Sequence, residues 1–309
     1  MRSTPPTPRR LYDERAARAD AVTKTRNRST ENMKAENIFI EFEEDEAGSS
    51  PEVYELNIVS GGCRLYGYLL TPDKRMNKPY PTVILSHGFP GYTTNNDLEL
   101  ALMRAGCVVI HMNHRGAWGS EGNYLFTNLK DDLIAITKWA HNRAIADQYG
   151  IDPDNIFLVG HSMGGQTVLN AAKALPFLGG VAALAAYDIG AAFRYHMEKE
   201  LFLMIETEGQ CLKMTSAAAV YENALENRDE LGILGQYERL ASLPVLLVEA
   251  SLDAVAPADI MMRQLYEKLK ELSAPVTYQQ IVSTHSFAGQ RMKLAKTVAQ
   301  WIENNVKII

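Results

Sequence analysis

Cysteine is scarce in this chain. Its three thiols, Cys63, Cys107 and Cys211, lie far apart and form no CxxC pair, which excludes a disulfide framework or a zinc knuckle as the basis of the fold. Three free thiols in a reducing compartment are the expectation, and with it a cytoplasmic location. Long apolar runs are missing too. Charge or glycine breaks each of them before the roughly 18 residues that cross a bilayer, so no membrane span is expected. Positive charge is in deficit: 31 Lys and Arg stand against 37 Asp and Glu, a net charge of −6. A surface built to neutralise phosphates needs the opposite balance, so no nucleic-acid partner is expected.

What basic charge there is collects at the start. Through Glu31 there are seven Arg and one Lys against four acids, a local charge of +4 that leaves −10 on the rest. This stretch holds proline clusters but no apolar core of a secretory signal. Two readings stand side by side, a disordered basic arm or residues preceding a functional start at Met33; a transit peptide is a weaker third, because acids are present. Residues 1–52 are taken as basic arm and lead-in, and 53–309 as the folded domain.

With 309 residues, 46% of them hydrophobic, the chain can bury one large core. The pattern from Tyr54 onward alternates. "YELNIVSGGCRLYGYLLTP" reads as a hairpin turning at Gly61 and Gly62. "YPTVILS", "CVVIHM", "NIFLVG", "GGVAALAA", "LPVLLVEA" and "VTYQQI" read as strands, several apolar throughout, as in a parallel sheet buried on both faces. Helical spacing appears between them at Leu98, Leu102 and Ala105, at Leu129, Leu133, Ile136 and Trp139, and at Met292, Ala295, Ala299 and Ile302. The class is therefore α/β with a mainly parallel central sheet. One stretch breaks the alternation. Residues 189–242 carry helical segments, "FRYHMEKELFLMIE" and "TSAAAVYENALEN", with no convincing strand, so they are read as a helical lid insertion.

The chemistry gathers in three loops. "VGHSMGG" places Ser162 between a strand and a helix in a Gly-x-Ser-x-Gly turn, where small neighbours let a strained backbone expose the hydroxyl. The Met163 N–H then stands at a helix N-terminus, where an oxyanion is favoured. Serine needs a base. Of seven histidines, His285 in "STHSF" follows the last strand and can reach the same sheet edge as Ser162. An acid must orient that base: Asp253 in "SLDAVAP" follows a buried strand, with Glu249 and Asp259 as competitors. No residue set suggests a metal or cofactor.

The order Ser162, Asp253, His285, each after a strand, resembles the α/β-hydrolase family from about Val53 to Val306. The resemblance implies an α/β-hydrolase fold, a mainly parallel sheet with helices on both faces and a small helical lid. It also implies a serine esterase with a catalytic triad, nucleophile elbow and oxyanion hole. The loop "SHGFPGY" is similar to that of feruloyl-esterase-like carboxylesterases and acyl-peptide-hydrolase-like members, which implies the Phe89 N–H as second oxyanion donor, with His87 and Gly88 shaping the loop. "NHRGAWGSEGN" is similar to the RGxGxSxG segment of the same relatives, with Arg115 structural.

The expected activity is cleavage of a small-molecule carboxylic ester through an acyl-enzyme. Peptidase or amidase action of the prolyl-oligopeptidase type, and acyl transfer or thioester cleavage, use the same residues. A propeller, which limits substrate size in that peptidase branch, does not fit into the residues before Val53. A non-enzymatic binding protein is disfavoured because all three triad positions are filled. Phe193, Tyr195, Met197 and Phe202 in the insertion are the expected substrate-binding surface. Whether the chain forms a homodimer is left open.

Overall fold

Strands that carry apolar side chains on both pleat faces need cover on both sides, and that requirement organises the molecule. The computed structural model describes residues 32–40, 50–92 and 95–307. The remainder of the arm and lead-in lies outside the described residues.

In chain order the elements are β1 Val53–Ser60, β2 Cys63–Leu70, β3 Tyr80–Ser86, α1 Asn96–Arg104, β4 Val108–Met112, α2 Phe126–His141, α3 Arg143–Tyr149, β5 Ile151–His161, α4 Met163–Ala172 and β6 Gly180–Leu184. Then follow α5 Ile189–Arg194, α6 Glu198–Glu208, α7 Ala217–Glu226, α8 Arg228–Leu231, β7 Val245–Ala250, α9 Ala258–Met261, α10 Arg263–Glu271, β8 Val276–Ile281 and α11 Arg291–Asn305. The eight-stranded sheet has the order β1-β2-β4-β3-β5-β6-β7-β8. β1 pairs antiparallel with β2 and β2 with β4, after which every pairing is parallel.

The pleat divides the core. Ile84, Ile110 and Leu158 face a layer formed by Leu133 and Ile136 of α2, Val168 of α4 and Leu265 of α10. Val83, Val109 and Phe157 face Leu102 of α1 and Leu294 and Val298 of α11. The second layer also takes in Ala35 and Ile38 from a short 3-10 helix, Ala35–Phe39, whose preceding Lys34 N–H donates to the Ala105 carbonyl at 2.9 Å. Among the described residues no helix is long and apolar enough to cross a membrane.

Several sequence expectations shift. "LKDDLIAITKWAHNRA" is two helices, because Asn142 leaves the helical region and caps α3 through a bond from the Ala144 N–H at 3.1 Å. "FRYHMEKELFLMIE" is also two, broken at His196, which has φ +58°. "IDPDNIFLVG" is strand throughout, with a register shift rather than a separate turn. Met292 is 67% exposed, since α11 turns its apolar stripe inward only from Leu294.

Candidate active site

Because β3 to β8 run parallel, the loops after them share one edge, and the candidate residues stand there. Ser162 joins β5 to α4 at φ +58° and ψ −123°, a conformation a non-glycine residue holds only when its surroundings force it, at about 1–3 kcal/mol. Those surroundings are visible. The Ser162 N–H donates to the Leu184 carbonyl at 2.9 Å, and its own carbonyl accepts from Gly165 at 2.8 Å and Tyr187 at 3.0 Å. Glycine is required on either side: a methyl on Gly160 would lie 2.1 Å from the Gly164 carbonyl oxygen, and one on Gly164 2.1 Å from that of Ser86.

The loop after β3 crosses directly over the serine. A methyl on Gly88 would sit 3.1 Å from Ser162 Cβ and 3.7 Å from its Oγ. The next residue is Phe89. Neither its N–H nor that of Met163, the first residue of α4, donates a hydrogen bond within the described residues. Two amides beside the serine thus remain available to an anion, one of them at a helix N-terminus. The loop is tied from below by His87, whose Nδ1–H donates to the Gly88 carbonyl at 2.7 Å while Nε2 accepts from the His114 N–H at 3.2 Å. Burial, then the neighbouring His114, lowers the His87 pKa to about 3, so it is neutral.

Asp253 and His285 meet across the loops after β7 and β8. His285 Nδ1 lies 2.7 Å from Asp253 Oδ2. Burial raises the Asp253 pKa, but His285 and the Val255 and Ala256 N–H groups outweigh it, and the net shift is downward. These two amides lie 2.8 and 2.9 Å from Asp253 Oδ1. An ionised carboxylate only accepts, so His285 carries its proton on Nδ1 and presents a lone pair at Nε2. The competitors are engaged elsewhere. Glu249 accepts from Arg263 and Gln280, each at 2.9 Å, and from Tyr278, while Asp259 pairs with Arg263.

His285 reaches the elbow through His161. The His161 Nε2 lies 2.8 Å from the His285 carbonyl and the two rings are 4.8 Å apart. Burial, then the neighbouring His285, lowers the His161 pKa to about 3. Ser162 Oγ makes no hydrogen bond to a described residue, His285 included.

Arg115 holds Asp132 through its N–H at 2.9 Å and Nε at 2.6 Å, and reaches the Asn128 carbonyl at 3.2 Å. Phe193 is buried in an apolar cluster that also contains Met163, Ile189 and Leu201, with Met197 and Phe89 packed against it. Phe202 is half-buried, 5.5 Å from the Tyr221 ring. Tyr195 is 44% exposed and bonds to Gln264 instead. Two further insertion residues that the sequence did not single out also reach the Phe89 loop: a methyl on Gly209 would meet the Phe89 ring at 3.0 Å and Met214 at 2.7 Å. Among the described residues no cluster of His, Cys, Asp and Glu is suited to a metal ion.

A parallel sheet with a strained serine elbow, an Asp–His pair and free amides at one edge defines a hydrolase class. The chain belongs to the alpha/beta hydrolase family, whose model matches residues 83–287. Among solved structures it is similar to a bacterial brefeldin A esterase described as a homologue of human hormone-sensitive lipase, at 15% identity and TM-score 0.63, over 87% of this chain and 81% of that one. It is also similar to Est1E from Butyrivibrio proteoclasticus, solved with ferulic acid, at 17% identity and TM-score 0.63, covering 81% and 98% of the two chains. The acylaminoacyl peptidase of Pyrococcus horikoshii aligns at 17% identity and TM-score 0.64 over 84% of this chain but 43% of its own length. No curated protein matches the chain in sequence.

Proposed function

We propose that this protein is a serine hydrolase that cleaves a small carboxylic ester through an acyl-enzyme. The observation that carries the reading is the 2.7 Å Asp253–His285 contact in a loop bonded to the residue preceding Ser162. Ser162 Oγ attacks the ester carbonyl and gives its proton to His285 Nε2. The oxygen gains negative charge and takes hydrogen bonds from the Phe89 and Met163 N–H groups; one such donor is worth about 10²–10³ in rate. The C–O bond to the alcohol then breaks, and His285 returns the proton to the leaving oxygen. Water, deprotonated by His285, attacks the acyl-serine, and the acid departs as Ser162 recovers its proton. Asp253 holds the imidazole tautomer and stabilises the imidazolium.

Residues 189–242 act in this reading as a lid over the 53–309 domain and choose the substrate. Their apolar contact with Met163 and Phe89 supports a moderately hydrophobic ester. The test is hydrolysis of p-nitrophenyl acetate to octanoate: wild type turns over at least one chain length and Ser162→Ala none above background. Equal rates for the two proteins, or no turnover by either, would sink the ester-hydrolase assignment.

A further inference from the structure

We propose that Tyr92, Trp118 and Tyr66 form a subsite for a flat aromatic ring of the substrate, an inference that rests on the ester-hydrolase reading above. All three are exposed, Tyr92 at 63%, Tyr66 at 50% and Trp118 at 40%. They are neighbours. The Tyr92 and Trp118 rings lie 6.0 Å apart at 65°, and a methyl on Gly119, next to Trp118, would be 3.6 Å from the Tyr66 ring. The carriers are the loops after β3 and β4, together with β2, three strands adjacent in the sheet.

The platform is built rather than incidental. Trp118 adopts φ +44°, a left-handed conformation that costs energy in a bulky residue and persists only where neighbours enforce it. Its indole N–H donates to the Pro90 carbonyl at 2.7 Å, and the ring edge lies against Gly91, where a methyl would be 2.5 Å from Nε1. Its carbonyl accepts from Asn113 Nδ2 at 3.1 Å. That bond orients the Asn113 amide, whose Oδ1 lies 3.2 Å from His111 Nε2, while His111 Nδ1 rests 2.7 Å from the buried Glu99 carboxylate. A chain of buried polar groups thus ends on an exposed indole that the core does not use.

Its position and chemistry select the ligand. Pro90 follows Phe89, the proposed oxyanion donor, and Gly88, which abuts Ser162. On the other side the Tyr92 hydroxyl stands 3.5 Å from the Glu208 carbonyl at the end of α6, so the platform runs from the loop that crosses the serine to the insertion. Polar groups behind the rings are already paired: the indole N–H with Pro90, the Asn113 amide on both sides, and Ser120 Oγ with the Asn113 carbonyl at 2.6 Å and the Tyr66 N–H at 2.8 Å. An aryl ring needs only π faces and edges, and such pairing raises affinity about two- to tenfold over burial alone.

The test compares esters matched in size and in leaving-group reactivity: benzyl with cyclohexylmethyl acetate, and ethyl phenylacetate with ethyl cyclohexylacetate. Wild type favours the aryl member of at least one pair by about two- to tenfold in kcat/KM. Trp118→Leu brings that ratio to about one, and Tyr92→Leu, which alters an exposed side chain, lowers it independently of any folding defect at Trp118. Parity in both pairs, or a ratio that neither variant moves, overturns the subsite. A second arm is independent of turnover: benzyl acetate quenches tryptophan fluorescence of Ser162→Ala saturably, and added Trp118→Leu removes the quench. Absence of saturable quenching counts against the subsite, whereas quenching without hydrolysis by wild type counts against the ester-hydrolase reading alone.

Discussion

His161 donates its Nε2 hydrogen to the carbonyl oxygen of His285 across 2.8 Å, so the residue before the proposed nucleophile holds the backbone of the proposed base. A carbonyl can only accept, which fixes the His161 tautomer. His161→Phe keeps a flat ring but leaves that carbonyl unsatisfied, at about 1–3 kcal/mol, and frees the His285 loop. Steady-state kinetics should show kcat reduced about 10- to 100-fold with KM within a factor of about two, since small misplacements of a base weaken chemistry more than binding. His161→Gln, which can still donate, should recover part of the loss.

Acid sensitivity follows from two buried histidines. His87 and His161 both titrate at about 3 in the folded protein, against an ordinary value of 6.5. The unfolded chain therefore binds protons first as pH falls. Stability is complete above about 6.5 and is lost progressively toward about 3, with a slope of about 1.4 kcal/mol per pH unit for each group. Urea denaturation between pH 7.5 and 5 should show this decline, and His161→Phe should flatten it by about one proton. Parallel slopes would show that His161 does not contribute to the acid sensitivity.

Asp253 and Glu249 separate by their partners. Asp253→Asn should lower kcat by about 10³–10⁴, because the amide no longer enforces the His285 tautomer. Glu249→Gln should leave kcat nearly unchanged and lower stability by about 1–3 kcal/mol, as Arg263 and Tyr278 lose a charged acceptor. Kinetics and denaturation on the same preparations check both halves.

Gly88→Ala probes the closeness of the proposed oxyanion loop to the elbow. The added methyl meets the His161 carbonyl and Ser162 Cβ, both at 3.1 Å, so a few tenths of an ångström must be found in the site itself. A fall in kcat of about tenfold or more is expected, with a small change in melting temperature.

The strands were legible because β3, β4 and β7 are apolar on both faces, a pattern only two-sided burial explains. Asp253 and His285 were legible as a pair because each directly follows a strand, and β7 and β8 are neighbours. The break at His196 was not, since the hydrophobic spacing of "FRYHMEKELFLMIE" runs on through it. Nor could His161 be placed against His285, or Tyr66 beside Gly119. Those contacts depend on strand order and loop path, and residue type alone carries neither. The buried Asp132 under Arg115 escaped for the same reason, sitting on α2 in what reads as a plain helical stretch.

The most direct measurement is covalent labelling with a fluorophosphonate, followed by mass spectrometry of the modified peptide. One adduct is expected on wild type, on the peptide containing Ser162, with no adduct on Ser162→Ala and labelling of His285→Ala slowed by at least about 10³. An adduct on folded Ser162→Ala at the wild-type rate, or a folded wild type that takes no label, would contradict Ser162 as the nucleophile.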